Sequence, residues 1–144
     1  MIANQGLVSS RNIFPTFLGE TSVVNPVVWF EIAAADLDRA KSFYEAVFGS
    51  TFQFIDMGTT RMHMFNGDSA LPGASGALVH SPDNTVSADG VTIYFASADI
   101  TTELDRVAGA GGRVLVPKTS IGEFGFIGMF LDSEGNRIGL HSVA

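Results

Sequence analysis

A strand–turn–helix unit occurs twice in this chain, and that repeat constrains the fold more than any other feature. The first copy is Val27–Phe48, VVWFEIAAADLDRAKSFYEAVF. Val27, Trp29 and Glu31 fall on one face of a strand and Val28, Phe30 and Ile32 on the other, because strand side chains alternate. Asp36 is placed to cap the helix, its carboxylate accepting from the unpaired N–H groups of the first turn. Leu37, Ala40, Phe43 or Tyr44, and Val47 recur at helical spacing and form one apolar stripe. Gly49 suits a left-handed stop. The second copy is Val91–Gly112, VTIYFASADITTELDRVAGAGG. Setting Asp99 on Asp36, an offset of 63 residues, puts Trp29 on Thr92, Phe30 on Ile93, Glu31 on Tyr94 and Ile32 on Phe95. Ile100, Leu104, Val107 and Ala108 repeat the apolar stripe, and Gly111-Gly112 repeats the stop.

Each copy is followed by three shorter strand patterns. In the first half these are Thr51–Asp56, Arg61–Phe65 and Ala77–His80, with a Gly/Pro/Ser loop over Asn66–Gly76. The polar stretch Ser81–Gly90 separates the halves. In the second half the strands are Arg113–Pro117, Phe126–Asp132 and Arg137–His141, with a loop over Lys118–Gly125 and a turn at Ser133–Asn136. Each half is therefore βαβββ, and the fold class is α+β. A single domain over 25–144 holds two modules, about 26–80 and 90–143. One face of each half-sheet takes its helix, and the other is left over. Side by side, the halves make a cupped, eight-stranded mixed sheet whose leftover faces line one groove. Residues 1–24 match neither copy and read as an N-terminal extension, docked through Phe14 and Phe17 or disordered. Its deletion is expected to leave the fold intact.

Composition narrows the function. A chain of 144 residues is long enough to bury a sizeable core. The formal net charge of −7 disfavours a phosphate-backbone binder, so no nucleic-acid partner is expected. There is no cysteine, which removes disulfides, thiolate catalysis and Cys-ligated zinc and suits a cytoplasmic location. No apolar run approaches a membrane span, and no secretory signal is read at the N-terminus.

The two modules, the segment ADLDRAKSFYEAVFG and the ending LDSEGNRIGLHS together resemble the vicinal oxygen chelate superfamily over roughly Pro26–Ser142. That superfamily includes glyoxalase I, extradiol dioxygenases and bleomycin-resistance proteins. The resemblance implies a groove with up to four metal ligands, usually His, Gln or Glu, two from each module. The first-strand ligand falls seven residues before the helix Asp, at Trp29, and its second-module equivalent is Thr92. The last ligand, usually Glu, falls at Gly139. The remaining one falls near Ala77–Val79, where no side chain is of ligand type. Every ligand position that can be placed is lost, so the resemblance implies the fold without the metal, as in bleomycin-resistance proteins.

What remains in the groove is then read from the residues. Glu31 lies two past Trp29, and His141 lies two past Gly139, so each shares the face of a lost ligand. As a pair they are the catalytic or ligand-orienting candidates. The competing reading leaves Glu31 solvated and ties His141 to a nearby backbone carbonyl. Trp29, Met62, Met64, Thr92, Tyr94, Phe126 and Met129 are the candidate ligand-binding lining, since methionines adapt and aromatics stack. The alternation of Phe126 against Ile127 is open, because Gly125 and Gly128 permit bulges. Lys118–Phe126 is a candidate flap. His63 and His80 are assigned structural or surface roles. The function expected is metal-free, cofactor-free binding of a small, partly aromatic or apolar molecule by a homodimer with two grooves, formed within one chain or between subunits. The alternative is a glyoxalase-type lyase or isomerase that is metal-independent or has a displaced metal.

Overall fold

The computed structural model describes residues 25–144. The expectations for the N-terminal extension, including Phe14 and Phe17, lie outside the described residues. The order is β1 (Trp29–Ala33), α1 (Leu37–Phe48), β2 (Phe52–Asp56), β3 (Arg61–Phe65), β4 (Ser75–His80), β5 (Tyr94–Ala96), α2 (Thr101–Val107), β6 (Arg113–Ser120), β7 (Phe126–Leu131) and β8 (Arg137–Ser142). Both modules are βαβββ. A 3-10 turn, Gly122–Phe124, interrupts the loop read as a flap, and β6 runs three residues further into that loop than its sequence pattern suggests.

Local chemistry explains the element ends. Asp36 Oδ1 accepts from the Arg39 backbone N–H at 3.0 Å, and Gly49 closes α1 at φ 67° with its N–H on the Glu45 carbonyl. In the second module, Asp99 Oδ1 accepts from the Thr101 N–H at 3.0 Å and from Lys118 Nζ at 3.0 Å. The Thr101 N–H and the Lys118 ammonium hold the Asp99 carboxyl below its ordinary pKa.

The strands form two hydrogen-bonded sheets with the same internal order, β1-β4-β3-β2 and β5-β8-β7-β6. In each, the edge strand that opens the module, β1 or β5, runs parallel to its neighbour, and the remaining pairs are antiparallel. One core joins the helix-facing sides of both sheets. It takes Ile32, Leu78, Phe43, Tyr44 and Val47 from the first module and Leu104, Val107, Phe130, Ile138 and Leu140 from the second. Phe95 shows how the sheets meet. From the edge strand β5 it lies 5.9 Å from Phe30 on β1 and 6.1 Å from Phe65 on β3, and it stacks at 4.6 Å on Phe48 of α1. The helix α1 touches both sheets as well: it packs on β3 and β4, and its Phe43 ring lies 5.8 Å from Phe130 of β7. The sheets therefore stack with their helices between them, and their helix-free faces point outward on opposite sides.

The turn between β7 and β8 locks this arrangement. Glu134 accepts from the Asp36 N–H at 2.8 Å and from the Arg39 guanidinium at 2.6 and 3.0 Å, at the start of the other module's helix. Asn136 Nδ2 donates to the Ala33 carbonyl at 2.8 Å, and the Tyr44 hydroxyl donates to Asp132 Oδ2 at 2.8 Å. Close packing allows no side chain at Gly112, where a Cβ would strike the Leu131 carbonyl and lie 2.7 Å from the Phe43 ring. The ending LDSEGNRIGLHS thus begins with the clamp between the modules.

Candidate functional site

Strand alternation assigns each candidate to a face. On the outward face of sheet 1, Trp29, Ile55 and Met64 pack around buried Met62, Ala77 and Val79. Glu31 shares this face, and its carboxylate accepts from the Trp29 indole N–H at 3.2 Å. Beside them is an open hollow of about 480 Å³ lined by Glu31, Met62 and Val79 and rimmed by Thr60, Asp83 and Asn84. A smaller hollow of about 270 Å³, lined by Leu104, Val114 and Pro117, lies on the helix side of sheet 2, away from all of these residues.

On the outward face of sheet 2, Tyr94 pairs with Gly139, and Gly139 pairs with Met129, so the three share a side. The Tyr94 ring lies across Gly139: a Cβ there would be 2.5 Å from the ring. Thr92 precedes β5, and its hydroxyl accepts from Arg137 Nη2 at 2.9 Å. His141 shares the face through its pairing with Ile127. Its Nε2 lies 2.7 Å from the Phe124 carbonyl. A carbonyl only accepts, so Nε2 carries the proton and His141 is the donor.

Two expectations are corrected here. Phe126 is not in the lining. It pairs with Ser142 and packs against the core, with Lys118 Nζ 4.5 Å above its ring. Ile127 takes the outward side, because the strand keeps strict alternation against β8. Next, Glu31 and His141 do not converge within one chain. They occupy outward faces of different sheets, and each is held by a neighbour of its own. Of the two arrangements the sequence leaves open for the groove, within one chain or between subunits, helices lying between the two sheets favour the second.

His63 faces the helix side. It is buried beside the rings of Phe52 and Phe54, with neither ring nitrogen hydrogen-bonded and Asp38 Oδ1 3.6 Å away. His80 binds the Ala34 carbonyl through Nδ1 at 2.9 Å. Both are outside the candidate site. The residue missed by sequence reasoning is Arg137. The step of two that leads from Gly139 to His141 also leads back to Arg137, so the signal was present.

The residues at the implied ligand positions do not fit a divalent metal. The Trp29 indole N–H is a donor, not a lone pair. Thr92 is engaged by a guanidinium cation. At Gly139 an aromatic ring fills the space of a side chain. Among the described residues, no three His, Cys, Asp or Glu side chains are grouped to hold an ion.

His141 and the loop above it give a first prediction. Phe124 is 67% exposed, and the loop is tied at its base by the Ile121 N–H on the Gly125 carbonyl. Replacing His141 by leucine removes the donor to the Phe124 carbonyl. Chymotrypsin cleavage after Phe124 is expected to accelerate about ten-fold, as for loss of one net hydrogen bond of about 1.4 kcal/mol. His141→Gln, which keeps an N–H donor, is expected to stay within about three-fold of wild type. Equal rates in both variants contradict the latch.

Comparison with known proteins places this geometry. The family model described as Glyoxalase/Bleomycin resistance protein/Dioxygenase superfamily matches residues 26–140. CFP32 of Mycobacterium bovis and Mycobacterium tuberculosis, provisionally named a glyoxylase, is 28% identical over 121 residues, 78% of this chain. The chain spans only 43% of the length of that relative. Glyoxalase I of Zea mays superposes with a TM-score of 0.65 at 20% identity, over 80% of this chain and 45% of that one. TnmS3, an antibiotic binding protein from Streptomyces sp. CB03234, superposes with a TM-score of 0.62 at 23% identity, over 85% of this chain and 99% of that one. Among the described residues no helix is long and apolar enough to cross a membrane.

Proposed function

Because the chain belongs to the Glyoxalase/Bleomycin resistance protein/Dioxygenase superfamily, we propose that it binds a small, flat, partly aromatic molecule without a metal, in a groove completed by a second copy of the chain. The observation that carries this reading is the filling of the three assignable ligand positions. Trp29, the Arg137–Thr92 contact and the Tyr94 ring over Gly139 replace an ion's coordination sphere with stacking surface and fixed donors. The likeness in fold to an antibiotic binding protein supports binding as the activity. The alternative is a metal-independent lyase or isomerase working through Glu31 and His141. It has less support, because His141 Nε2 is committed to Phe124 and Glu31 to Trp29.

A second copy supplies what one chain lacks. The outward faces of one chain point apart, so Trp29 and Tyr94 face one another only when sheet 1 of one copy meets sheet 2 of another. Val27, Val91 and Tyr94 leave apolar surface exposed along the edges where β1 and β5 begin, at 58%, 92% and 48%. A two-fold dimer then has two equal grooves.

Light scattering is expected to give twice the 15.2 kDa chain mass. Trp29 is the only tryptophan, so its emission reports the groove directly. Saturable quenching is expected with N-phenyl-1-naphthylamine, a flat neutral aromatic, at one probe per chain, in protein holding less than about a tenth of an equivalent of zinc, nickel or manganese. A monomer that shows no quenching, or a stoichiometric metal lost with His141→Ala, overturns the reading.

A further inference from the structure

On the outward face of sheet 2, Arg137 is a guanidinium without a counter-charge among the described residues. The salt bridges among the described residues use Arg39, Lys41, His63 and Lys118, and no carboxylate there lies within 4.0 Å of the Arg137 guanidinium. Among the described residues its only side-chain hydrogen bond runs from Nη2 to the Thr92 hydroxyl, and its buried Nε meets no acceptor. Arginine cannot discharge itself by losing a proton. A half-buried guanidinium with a stranded N–H therefore has a standing desolvation cost that a planar anion would remove.

The neighbours give the site a direction. Leu131 pairs with Arg137 on one side and with Arg113 on the other, so both cations share the outward face. Across the proposed groove the polarity is reversed. There the hollow is lined by Asp83 and by Glu31, whose carboxylate holds the Trp29 indole N–H, and no cation lines it. An anionic group is repelled from the Trp29 side and drawn to the Arg137 side. The ring system is left to stack on the indole.

We infer that the ligand is a flat aromatic molecule bearing an anionic group, a carboxylate or sulfonate, which Arg137 receives through its planar donors. The inference rests on the groove-binding reading above. It gives that groove an orientation: rings on Trp29 of one copy, the anion on Arg137 of the other. It also gives Arg137 the position beside Thr92 in which the superfamily resemblance implies a metal cation. The anion is held there by hydrogen bonds with a fixed fork geometry.

Two dyes of one skeleton test it on the full chain. 1-Anilinonaphthalene-8-sulfonate carries the anion, and N-phenyl-1-naphthylamine lacks it. Energy transfer from Trp29 reads both. Wild type is expected to bind the sulfonate more tightly than the neutral dye, and raising salt should weaken only the sulfonate. Arg137→Gln is expected to weaken the sulfonate at least about ten-fold more than it weakens the neutral dye, matching a lost charge-assisted hydrogen bond. Arg137→Lys keeps the charge without the fork and should fall between. If the glutamine variant does not fold, the salt dependence and the lysine variant decide. If the neutral dye binds saturably and the sulfonate gains nothing from Arg137 or low salt, this inference is overturned and the groove reading stands. If neither dye binds saturably, both fall.

Discussion

Replacing Asp132 by alanine is expected to lower the unfolding free energy by about 4 kcal/mol, enough to unfold much of a marginally stable domain. Asp132 is 3% exposed, and four donors converge on its carboxylate. Oδ1 accepts from the Glu134 and Asn136 backbone N–H groups at 2.9 Å each. Oδ2 accepts from the Tyr44 hydroxyl at 2.8 Å and from Asn136 Nδ2 at 3.0 Å. Alanine strands these donors where water does not replace the carboxylate, at roughly 1–3 kcal/mol for each one that stays unpaired. It also frees Asn136, whose amide ties the turn to Ala33 of the other module. Urea unfolding checks the value. Tyr44→Phe removes only one bond and should cost about 1–2 kcal/mol. The double variant should cost less than the sum of the singles, since both act on one contact. A cost below 1 kcal/mol for Asp132→Ala would mean that the clamp does not hold the modules.

The same clamp predicts pH dependence at both ends. Burial, and then the neighbouring Asp132 charge, push the Tyr44 phenol well above its ordinary 10.0. The native state therefore holds that proton longer than the unfolded chain. Stability is intact below about pH 10 and falls as pH rises towards the raised value, and Tyr44→Phe should remove that part of the fall. At Glu134 burial opposes ionisation. The Arg39 guanidinium, the Asp36 N–H and the Ser133 hydroxyl together outweigh it and hold the carboxyl below its ordinary 4.5. Its contribution is present above that value and is lost as pH falls through the lowered one.

Mixing two variants that each fail to bind is expected to restore binding. Trp29→Ala removes the stacking surface of sheet 1, and Tyr94→Ala removes that of sheet 2. If each groove takes Trp29 from one copy and Tyr94 from the other, either homodimer is defective in both grooves. A mixed dimer has one groove with both defects and one intact. Random exchange makes half the dimers mixed, so about a quarter of the wild-type capacity for N-phenyl-1-naphthylamine should return. Each variant alone should bind it at least about ten-fold more weakly than wild type, as for loss of a buried aromatic contact. A groove within one chain predicts no recovery however complete the exchange, and native mass spectrometry confirms that mixed dimers formed. Capacity that stays at zero with mixed dimers present excludes the shared groove.

Much of the molecule was legible from the sequence. The spacing of Leu37, Ala40, Phe43 and Val47 between Asp36 and Gly49 delimits α1, because an N-cap, an apolar stripe and a left-handed stop are each local. Alternation in TFQFID and RMHMF delimits β2 and β3 and separates Met62 and Met64 from His63. The 63-residue repeat determines that two like modules exist. Phe126 was not legible, because the glycines on either side leave the phase of the alternation open until β8 pairs with β7. A backbone carbonyl as the partner of His141 was one of the two readings of the sequence, but the 3-10 turn at Gly122–Phe124 and the choice of the Phe124 carbonyl were not legible, since a carbonyl 17 residues away leaves no pattern in the sequence.

How the modules meet was decided by tertiary structure alone. Both faces of sheet 1 are apolar, with Phe30, Ile32 and Leu78 on one side and Trp29, Met62 and Val79 on the other. Periodicity distinguishes the two sides, but it does not say which one will cover the other module. That choice follows from contacts between distant residues: Phe95 reaching Phe30 and Phe65, and Asp132, Glu134 and Asn136 binding Tyr44, Arg39 and the Ala33 carbonyl. Such contacts depend on shape and hydrogen-bond geometry in three dimensions, to which hydrophobic pattern is blind. The sequence by itself therefore determined the two modules and the residues on each of their faces. Only the folded chain, by stacking the sheets back to back, turned the faces carrying Trp29 and Arg137 away from each other.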